Sequence, residues 1–580
     1  MQLIQGKSAL VIFDKDGPKR KDEWWQQFEV VVAPKEFEAR ILKYGLSFVD
    51  ISDLIDPGSV QEAAELARKL SLLKTADGRR LSKVVNYKGF ELWWIHYDDL
   101  MSNFCLPYTQ YARLLDYLKN FPSLYFYKPL SGGLFQYFLN SYGCKYVVEN
   151  EFTKKLSFGI LLQVALSIPF LLWVKIRRPK LMVWSSDLFD PPRDHDFRMK
   201  FIYEELQKKE INFVEFIRSM EPSTTVLQHA LKRKRPVIYS FAIGKFTRHL
   251  ANILDKRYER KLRNLGPSTS ADPLERFQFE MATSFLHNVA GDIWSIRIMK
   301  YILNFIGIKV AIIPGGSSRN FHEVLACKLS DIKIVGIQHG ASPKHFLVSE
   351  FMPEFDGEKH LSVDMYGLWS DWWKEYYIKN GRAYKSEQLC VSGPMRPLQK
   401  RSPPLSVQEE GPIKVLFVSE PNATPSEAMS YLLSIIDKEG ISPYLKFRPY
   451  HDRFEEWLKK SHPEILKKVK IIRGDMHDAI AQCDVVIGSY STGVLEAPLL
   501  LKPFIFFQTK KWGDYFELKS FDSRYCFFAE NPQELIELVR KSKTIPKETL
   551  EKLQRRFFGD PYINGSKWVV EQVEKLLKDS

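Results

Sequence analysis

The stretch 484–507 contains the residue types best suited to binding a phosphate group. An apolar run, 485–487, predicts a strand that breaks at Gly-Ser-Tyr-Ser-Thr-Gly into a helix. The first N–H groups of a helix lack helical partners, so such a turn offers donors and a positive helix end to an anion. Hydroxyl groups add donors, and an acidic residue farther on can reach a ribose hydroxyl. The stretch predicts a nucleotide-phosphate site, with a plain tight turn capped by Ser491 as the alternative. Its predicted ligand-binding residues are Gly488, Ser489, Ser491, Thr492, Gly493 and Glu496.

A histidine follows another predicted strand. The turn 338–340, Gln-His-Gly, comes directly after the apolar run 333–337. A side chain at the carboxyl end of a parallel strand faces the crevice where such sheets bind ligands. With an ordinary pKa of about 6.5, His339 can accept a proton from a hydroxyl at neutral pH, which makes it the first candidate general base. Asp356, in the acidic loop 354–358, is the second candidate. A structural histidine and a solvated acidic loop are the alternatives.

Two further turns have the composition of anion sites. The sequence 314–319, Pro-Gly-Gly-Ser-Ser-Arg, ends a predicted strand and opens a helix. The sequence 447–453 ends another strand, and its arginine can hold a phosphate with two hydrogen bonds. A chain-reversing loop and ordinary surface charge are the respective alternatives. The predicted acceptor- or phosphate-binding residues of the first turn are Gly315, Gly316, Ser317 and Arg319, and those of the second are Arg448 and His451.

Alternating strands and helices must position these turns. Such alternation predicts parallel sheets covered on both faces, with ligands at the carboxyl ends of the strands. The predicted fold class is α/β, with two Rossmann-like units facing across a cleft and an α/β extension before them. The predicted parts are the N-terminal extension, 1–150; an apolar segment, 151–180; a first Rossmann-like unit, 181–400; a Pro-, Ser- and Glu-rich linker, 401–412; and a second Rossmann-like unit, 413–580.

Length, charge and cysteine spacing narrow the class of protein. A chain of 580 residues is long enough for several cores, and its net charge of +14 favours an anionic partner. The basic clusters come without zinc-finger or RNA-binding signatures, so no nucleic-acid partner is expected. Six widely spaced cysteines argue against a disulfide framework and a structural zinc site, and suit a reducing cytoplasm. Residues 1–7 lack the features of a secretory signal.

One apolar segment points to a membrane surface. Residues 156–174 are nearly all apolar, with basic residues on both sides. That charge distribution, together with Pro169 and Trp173, favours a helix lying in the interface rather than crossing the bilayer. A buried helix between domains is the alternative. The predicted location is therefore cytoplasmic, peripheral to the inner face of the cell membrane.

Together these motifs resemble the GT-B glycosyltransferases of bacterial surface-polysaccharide synthesis, of the capsule, Kdo and teichoic-acid types. The turn 338–340 looks like their Gln-His-Gly turn. The stretch 484–496, followed by Lys-Pro at 502–503, is similar to their donor turn and the next strand. Arg448-Pro-Tyr-His451 stands where these enzymes usually carry His-Pro, so the phosphate ligand stays open between those two residues. The first 150 residues lie outside the resemblance.

The resemblance implies that the C-terminal unit binds the nucleotide of the donor and that the middle unit binds the acceptor. It implies no metal and no cofactor, since helix ends and basic residues would stabilise the leaving phosphate. The expected function is transfer of a sugar from a nucleotide-sugar donor to a surface polysaccharide or a lipid-linked glycan. The alternatives are a CDP-glycerol or CDP-ribitol phosphotransferase, a sugar-nucleotide epimerase and a non-catalytic membrane scaffold.

Overall fold

The fold is known from a computed structural model. It describes residues 8–13, 18, 20–51, 57–127, 145–149, 158–186, 196, 199–218, 237–258, 265–267, 272–316, 321–398, 411–420, 422–448 and 452–579.

The described strands form three parallel sheets and one short hairpin. Sheet order is β3-β2-β1-β6-β7 in the first sheet, β10-β9-β8-β11-β12-β13-β14 in the second and β17-β16-β15-β18-β19-β20 in the third. The hairpin pairs β4 with β5. The strands are β1 Ser8–Ile12, β2 Val30–Ala33, β3 Ser47–Asp50, β4 Asn86–Tyr87, β5 Phe90–Glu91, β6 Ser123–Tyr127, β7 Lys145–Glu149, β8 Leu181–Ser186, β9 Phe213–Arg218, β10 Val237–Ile238, β11 Val310–Pro314, β12 Lys333–Ile337, β13 Met365–Leu368, β14 Leu389–Val391, β15 Ile413–Val418, β16 Ile441–Lys446, β17 Lys470–Ile471, β18 Val485–Gly488, β19 Phe504–Phe507 and β20 Phe528–Ala529.

Helices connect these strands and cover both faces of the sheets. The strands at the centre of each sheet are mostly apolar, as sheets buried on both faces require, and β11 is buried along its whole length. The described α-helices are Asp22–Trp25, Glu38–Lys43, Pro57–Ser71, Tyr97–Leu100, Leu106–Leu118, Phe158–Arg177, Lys200–Lys208, Ser240–Leu254, Pro273–Thr283, Val289–Ile306, Phe321–Lys328, Asp371–Asn380, Pro425–Ile435, Arg453–Ser461, Pro463–Leu466, Met476–Ala481, Thr492–Leu495, Pro532–Lys541, Lys547–Phe558 and Gly565–Lys578.

Each sheet is doubly wound. The chain enters at an inner strand, β1, β8 or β15, adds two strands on one side and then crosses to the other side. The reversal leaves a crevice at the carboxyl ends of the strands, between β8 and β11 in the second sheet and between β15 and β18 in the third. The predicted α/β class, with two Rossmann-like units across a cleft, is confirmed. The N-terminal extension contains the first sheet, which is wound in the same way.

Several strands were not predicted because their patterns are short or aromatic. β6 has the sequence Ser-Leu-Tyr-Phe-Tyr and pairs with both β1 and β7. β13, β14 and β20 span four, three and two residues, too few for a periodic signal. All but two residues of the predicted linker, 401–412, lie outside the described residues.

The C-terminal helix Gly565–Lys578 packs on the middle unit, against β11, β12 and the helix Lys200–Lys208. At its start, the Ser566 hydroxyl donates to the Met395 carbonyl over 2.9 Å. The chain therefore builds the third sheet and then returns to the second, so the two units are joined by two crossings of the chain.

Candidate active site

A cavity of about 1040 Å³ lies between the second and third sheets. It opens at the carboxyl ends of the strands, where a doubly wound sheet binds its ligands. Its volume is that of a pocket for a ligand of drug size or larger. Seven of the residues predicted from the sequence line it: Gly315, His339, Arg448, Ser491, Thr492, Gly493 and Glu496.

The turn after β18 forms part of the wall from the C-terminal unit. Ser491 caps the following helix, and its hydroxyl accepts from Gly493 N over 3.0 Å. Thr492–Leu495 is a single turn, shorter than the helix predicted, and Pro498 begins a 3-10 turn directly afterwards. One turn carries little of a helix dipole, so the hydroxyls and backbone N–H groups are the main donors here. This corrects the expectation of a helix with Glu496 on its first turns, because Glu496 is the C-cap.

The other residues predicted in this turn have separate positions. Glu496 is the C-cap of the one-turn helix and lines the cavity, with its carboxylate 3.4 Å from His477 Nε2. Gly488 and Ser489 do not line the cavity. A Cβ at Gly488 would stand 3.1 Å from the Val418 carbonyl, so a glycine allows β18 to lie close to β15. Ser489 is fully buried.

Arg448 lies two residues beyond β16, beside the cavity. Its backbone N–H donates to the Asp452 carboxylate over 2.8 Å, and the same carboxylate accepts from the Ser419 hydroxyl over 2.9 Å. Asp452 therefore ties the loop after β16 to the end of β15. Lys446 also lines the cavity and donates to the Gly474 carbonyl over 2.7 Å. His451, the other predicted phosphate ligand, lies outside the described residues.

Glu420 is a site residue that the sequence did not reveal. It follows β15 at the crevice of the third sheet, and its carboxylate accepts a hydrogen bond from the Ser491 hydroxyl. Burial raises the pKa of Glu420 to about 7, against the opposing effects of that hydrogen bond and of the nearby Arg448 charge. An acidic residue of this kind can hold a proton at neutral pH. The sequence signal that could have identified Glu420 is its position just after the first strand of the unit, where such sheets bind ligands.

The middle unit contributes the Gln-His-Gly turn after β12. Gln338 is fully buried, and its side chain accepts from Trp369 N over 3.1 Å and donates to the Gly340 carbonyl over 3.1 Å. Gln338 thus holds the turn in place, and His339 lines the cavity. A Cβ at Gly340 would stand 2.7 Å from Thr492 Oγ1, so the two units lie close together where the two predicted turns meet.

The middle unit also places an acidic residue, Glu350, near His339. Glu350 is buried, lines the cavity and accepts a hydrogen bond from the Tyr384 hydroxyl. A Cβ at Gly315 would lie 3.9 Å from the Glu350 carboxylate and 4.0 Å from the His339 ring. Gly315 has φ of +91°, which favours glycine, and leaves open the space between these two groups. The sequence did not reveal Glu350, because its distance from His339 depends on the fold.

Gly316, the next predicted residue of this turn, lies apart from the open space. A Cβ at Gly316 would stand only 1.6 Å from the Tyr384 hydroxyl, so Gly316 packs against that ring rather than facing the cavity. Ser317 and Arg319 lie outside the described residues.

Asp356, the second candidate base, does not line the cavity. Its carboxylate pairs with Arg80 over 2.7 Å and with Lys83 over 3.0 Å, both from the N-terminal part of the chain. Burial alone would raise the pKa of Asp356, but the two cations outweigh it and lower the pKa. A paired carboxylate of lowered pKa is a weak base, and the structure does not bring it together with His339.

The cavity therefore sets an imidazole and a carboxylate of the middle unit against two arginines, hydroxyls and three carboxylates of the C-terminal unit. The units are also linked beside the cavity by the ion pair of Arg396 and Asp475, at 2.9 Å. Such an arrangement can take a proton from one ligand and stabilise negative charge on another. Within the described residues, no group of three or more His, Cys, Asp or Glu side chains has the geometry of a metal site.

No protein-family model matches the chain, and no curated protein matches its sequence. Solved structures share part of its fold. A UDP-GlcNAc 2-epimerase from Neisseria meningitidis, bound to UDP-GlcNAc, is 15% identical over 68% of this chain and 99% of its own, with a TM-score of 0.38. A glycosyltransferase from Rickettsia africae is 10% identical over 69% and 99%, with a TM-score of 0.38. The glycotransferase of kitacinnamycin is 11% identical over 68% and 98%, with a TM-score of 0.40. At these scores the likeness does not identify an activity.

Proposed function

We propose that this chain is a glycosyltransferase, which moves a sugar from a nucleotide-sugar donor to a surface polysaccharide or a lipid-linked glycan. The observation that carries the proposal is the meeting, across one cavity, of His339 from the middle unit with Arg448 and Ser491 from the C-terminal unit. A proton acceptor on one wall and phosphate ligands on the other are what transfer from a nucleotide donor requires.

In the proposed reaction, a hydroxyl oxygen of the acceptor forms a bond to the anomeric carbon of the donor sugar. The bond between that carbon and the phosphate oxygen breaks, and the nucleotide leaves with the electron pair. His339 accepts the hydroxyl proton, and Arg448 with the Ser491 hydroxyl stabilises the charge that grows on the phosphate. In this scheme Glu496, which lines the same cavity, binds the ribose. Asp356 has no part in this scheme, because it lies away from the cavity.

The proposal is tested first by a thermal-shift screen of purified protein against CMP, CDP, UDP, GDP and their sugar derivatives. Stabilisation by one nucleotide, lost in Arg448→Ala and Ser491→Ala, is the expected result. Arg453→Ala is the matched control, because Arg453 is exposed, begins the next helix and does not line the cavity. Absence of a shift with every nucleotide, in folded protein, would contradict the donor site.

The reaction class is then decided with the donor found in the screen. Sugar transfer that requires a glycan acceptor and is lost in His339→Ala supports the proposal, with exposed His462→Ala as the control. Conversion of the donor sugar without any acceptor would identify an epimerase instead. Preferential stabilisation by CDP-glycerol or CDP-ribitol would indicate a phosphotransferase. If no nucleotide stabilises the protein and His339→Ala changes no measured property, the non-catalytic scaffold is the remaining interpretation.

A further inference from the structure

The helix Phe158–Arg177 buries polar side chains and exposes apolar ones, the opposite of a usual surface helix. Its buried positions include two polar side chains, and its exposed positions up to residue 173 are all apolar. The exposed residues recur every three or four positions, so they share one face of the helix. The buried residues are Gly159, Gln163, Ser167 and Val174. The exposed apolar residues are Phe158, Leu161, Ala165, Ile168, Pro169, Leu172, Trp173 and Ile176.

The polar face of this helix is held against the protein. The Ser167 hydroxyl donates to the Gln163 carbonyl over 2.9 Å and accepts from Tyr239 N over 3.0 Å. Near the end of the helix, Lys175 Nζ donates to the Phe305 carbonyl over 2.5 Å. These contacts attach the helix to two neighbouring helices along its length, and fix which face points outward.

The apolar surface continues onto the helix Val289–Ile306. Tyr301 is 70% exposed and stacks on Phe305, with ring centroids 6.4 Å apart and an interplanar angle of 13°. Ile298, one turn earlier, is also exposed. Exposed apolar side chains gathered on one face in this way mark an interaction site.

The charge around the surface selects its partner. Residues 152–186 contain no Asp or Glu. Six basic residues lie before the helix, in its last turn or just after it: Lys154, Lys155, Lys175, Arg177, Arg178 and Lys180. The Arg177 guanidinium lies over the Trp173 ring at 4.7 Å. An aromatic ring and basic groups at the edge of an apolar face are the composition of a segment that lies at the surface of an anionic bilayer.

We infer that the exposed face of the helix Phe158–Arg177 docks in the plane of an anionic lipid bilayer. The helix is long and apolar enough to cross a membrane by length and composition, about 30 Å for 20 residues. Crossing, however, would pull its buried face and its hydrogen bonds away from the protein. Pairing with a second copy would bring like charges together at both ends of the helix. In-plane docking keeps every contact and buries the apolar face.

The inference is tested by flotation of the purified full chain with vesicles. We expect binding to vesicles of phosphatidylcholine with 30% phosphatidylglycerol, and at least tenfold weaker binding to phosphatidylcholine alone. Ile168→Glu/Leu172→Glu removes binding to both, because each carboxylate would have to enter the bilayer. Arg177→Glu/Arg178→Glu weakens binding to the anionic vesicles. Leu433→Glu, at another exposed leucine on the helix Pro425–Ile435, is the matched control and leaves binding unchanged.

Three outcomes would overturn the inference. The first is absence of vesicle binding by the unaltered chain. If light scattering then shows a dimer that Leu172→Glu dissociates, the apolar face pairs with a second copy instead. The second is binding that the glutamate pair does not change. The third is bound protein that sodium carbonate at high pH fails to release, since that indicates a crossing helix. The nucleotide screen is independent of these results, so failure of the inference and failure of the proposed function are separable.

Discussion

At the level of single residues, two hydrogen-bonded carboxylates line the cavity, one from each unit. Glu350 accepts from the Tyr384 hydroxyl in the middle unit, and Glu420 accepts from the Ser491 hydroxyl in the C-terminal unit. Burying a carboxylate is costly unless it is hydrogen-bonded or protonated. Both are hydrogen-bonded, and Glu420 also has a raised pKa. Acidic groups that line a cavity beside an arginine, one of them with a raised pKa, are candidates to exchange protons or hydrogen bonds with a ligand.

The first prediction concerns the pH dependence of donor binding. Because burial raises the pKa of Glu420 to about 7, this residue is protonated below that pH and ionised above it. Ionised Glu420 repels a donor diphosphate, so affinity should fall as pH rises through 7, by roughly tenfold or about 1.4 kcal/mol. Glu420→Gln, which stays neutral, should bind with the same affinity from pH 6 to 8. Isothermal titration with a nucleotide sugar measures this, since its diphosphate diester does not titrate in that range.

The control for this experiment is Glu427→Gln, at an acidic residue of the same unit that does not line the cavity. It should retain the pH dependence of the unaltered chain. If Glu420→Gln keeps the same pH dependence as the unaltered protein, another group is responsible and Glu420 does not face the phosphates.

At the level of elements, the N-terminal part contacts the middle unit through side chains on helices. His96 Nε2 lies 2.7 Å from one oxygen of Asp292, on the helix Val289–Ile306, and His322 Nε2 lies 2.9 Å from the other. Burial alone would lower the pKa of His96, but the Asp292 carboxylate outweighs it and raises the pKa to about 9. The same two histidines hold the pKa of Asp292 well below its ordinary value despite its burial.

The second prediction is that Asp292→Asn lowers the free energy of unfolding by about 3 to 5 kcal/mol, because it leaves a buried histidine without its counter-charge. The raised pKa of His96 gives stability that is complete below pH 6.5 and lost as pH rises through about 9. That loss should be absent in Asp292→Asn. Denaturant unfolding at several pH values measures both effects. Asp99→Asn, 4.0 Å from His96 and exposed, should cost less than 1 kcal/mol.

The third prediction concerns the helix Gly565–Lys578. A Cβ at Gly565 would stand 2.4 Å from the Gly393 carbonyl, a backbone group that cannot move aside easily. Gly565→Ala should therefore lower stability by about 1 to 3 kcal/mol, read as a lower midpoint of thermal unfolding. Gly266→Ala is the comparison, since nothing lies within 4 Å of its Cβ position. Equal midpoints for the two variants would mean that this helix is not docked as described.

At the level of the whole molecule, the cavity exists only while the two units are in contact. The Gln-His-Gly turn of the middle unit meets the Ser-Thr-Gly turn of the C-terminal unit at Gly340 and Thr492. Phe346 and Trp512 also pack across the gap, with ring centroids 4.5 Å apart. Contact of this kind would exclude water from a ligand bound between the units.

The fourth prediction tests that contact. Gly340→Ala would place a Cβ 2.7 Å from Thr492 Oγ1, so the units should be held apart and nucleotide affinity should fall by roughly tenfold, about 1.4 kcal/mol. Thr492→Ala removes the clashing oxygen and should restore much of the loss in the double variant. Affinities of the four proteins in a double-mutant cycle measure the coupling. Additive losses would show that the two turns do not touch.

The sequence alone determined the class of fold and the turns that face the cleft. Strand and helix periodicities, and glycines at 315, 340 and 488, are local signals, so they can be recognised without knowing what they contact. They predicted the two Rossmann-like units and the end of β12 at 337. They also predicted an apolar helix near 156–174 with basic flanks.

Only the tertiary structure decided which side chains meet. The bond between Ser491 and Glu420 joins residues 71 positions apart, and Arg80 reaches Asp356 from the N-terminal part of the chain. Contacts between such distant residues leave no local pattern, because they depend on strand order and on how the units dock. For the same reason, composition could place the apolar helix Phe158–Arg177 near a membrane, but only packing shows that its polar face is the buried one.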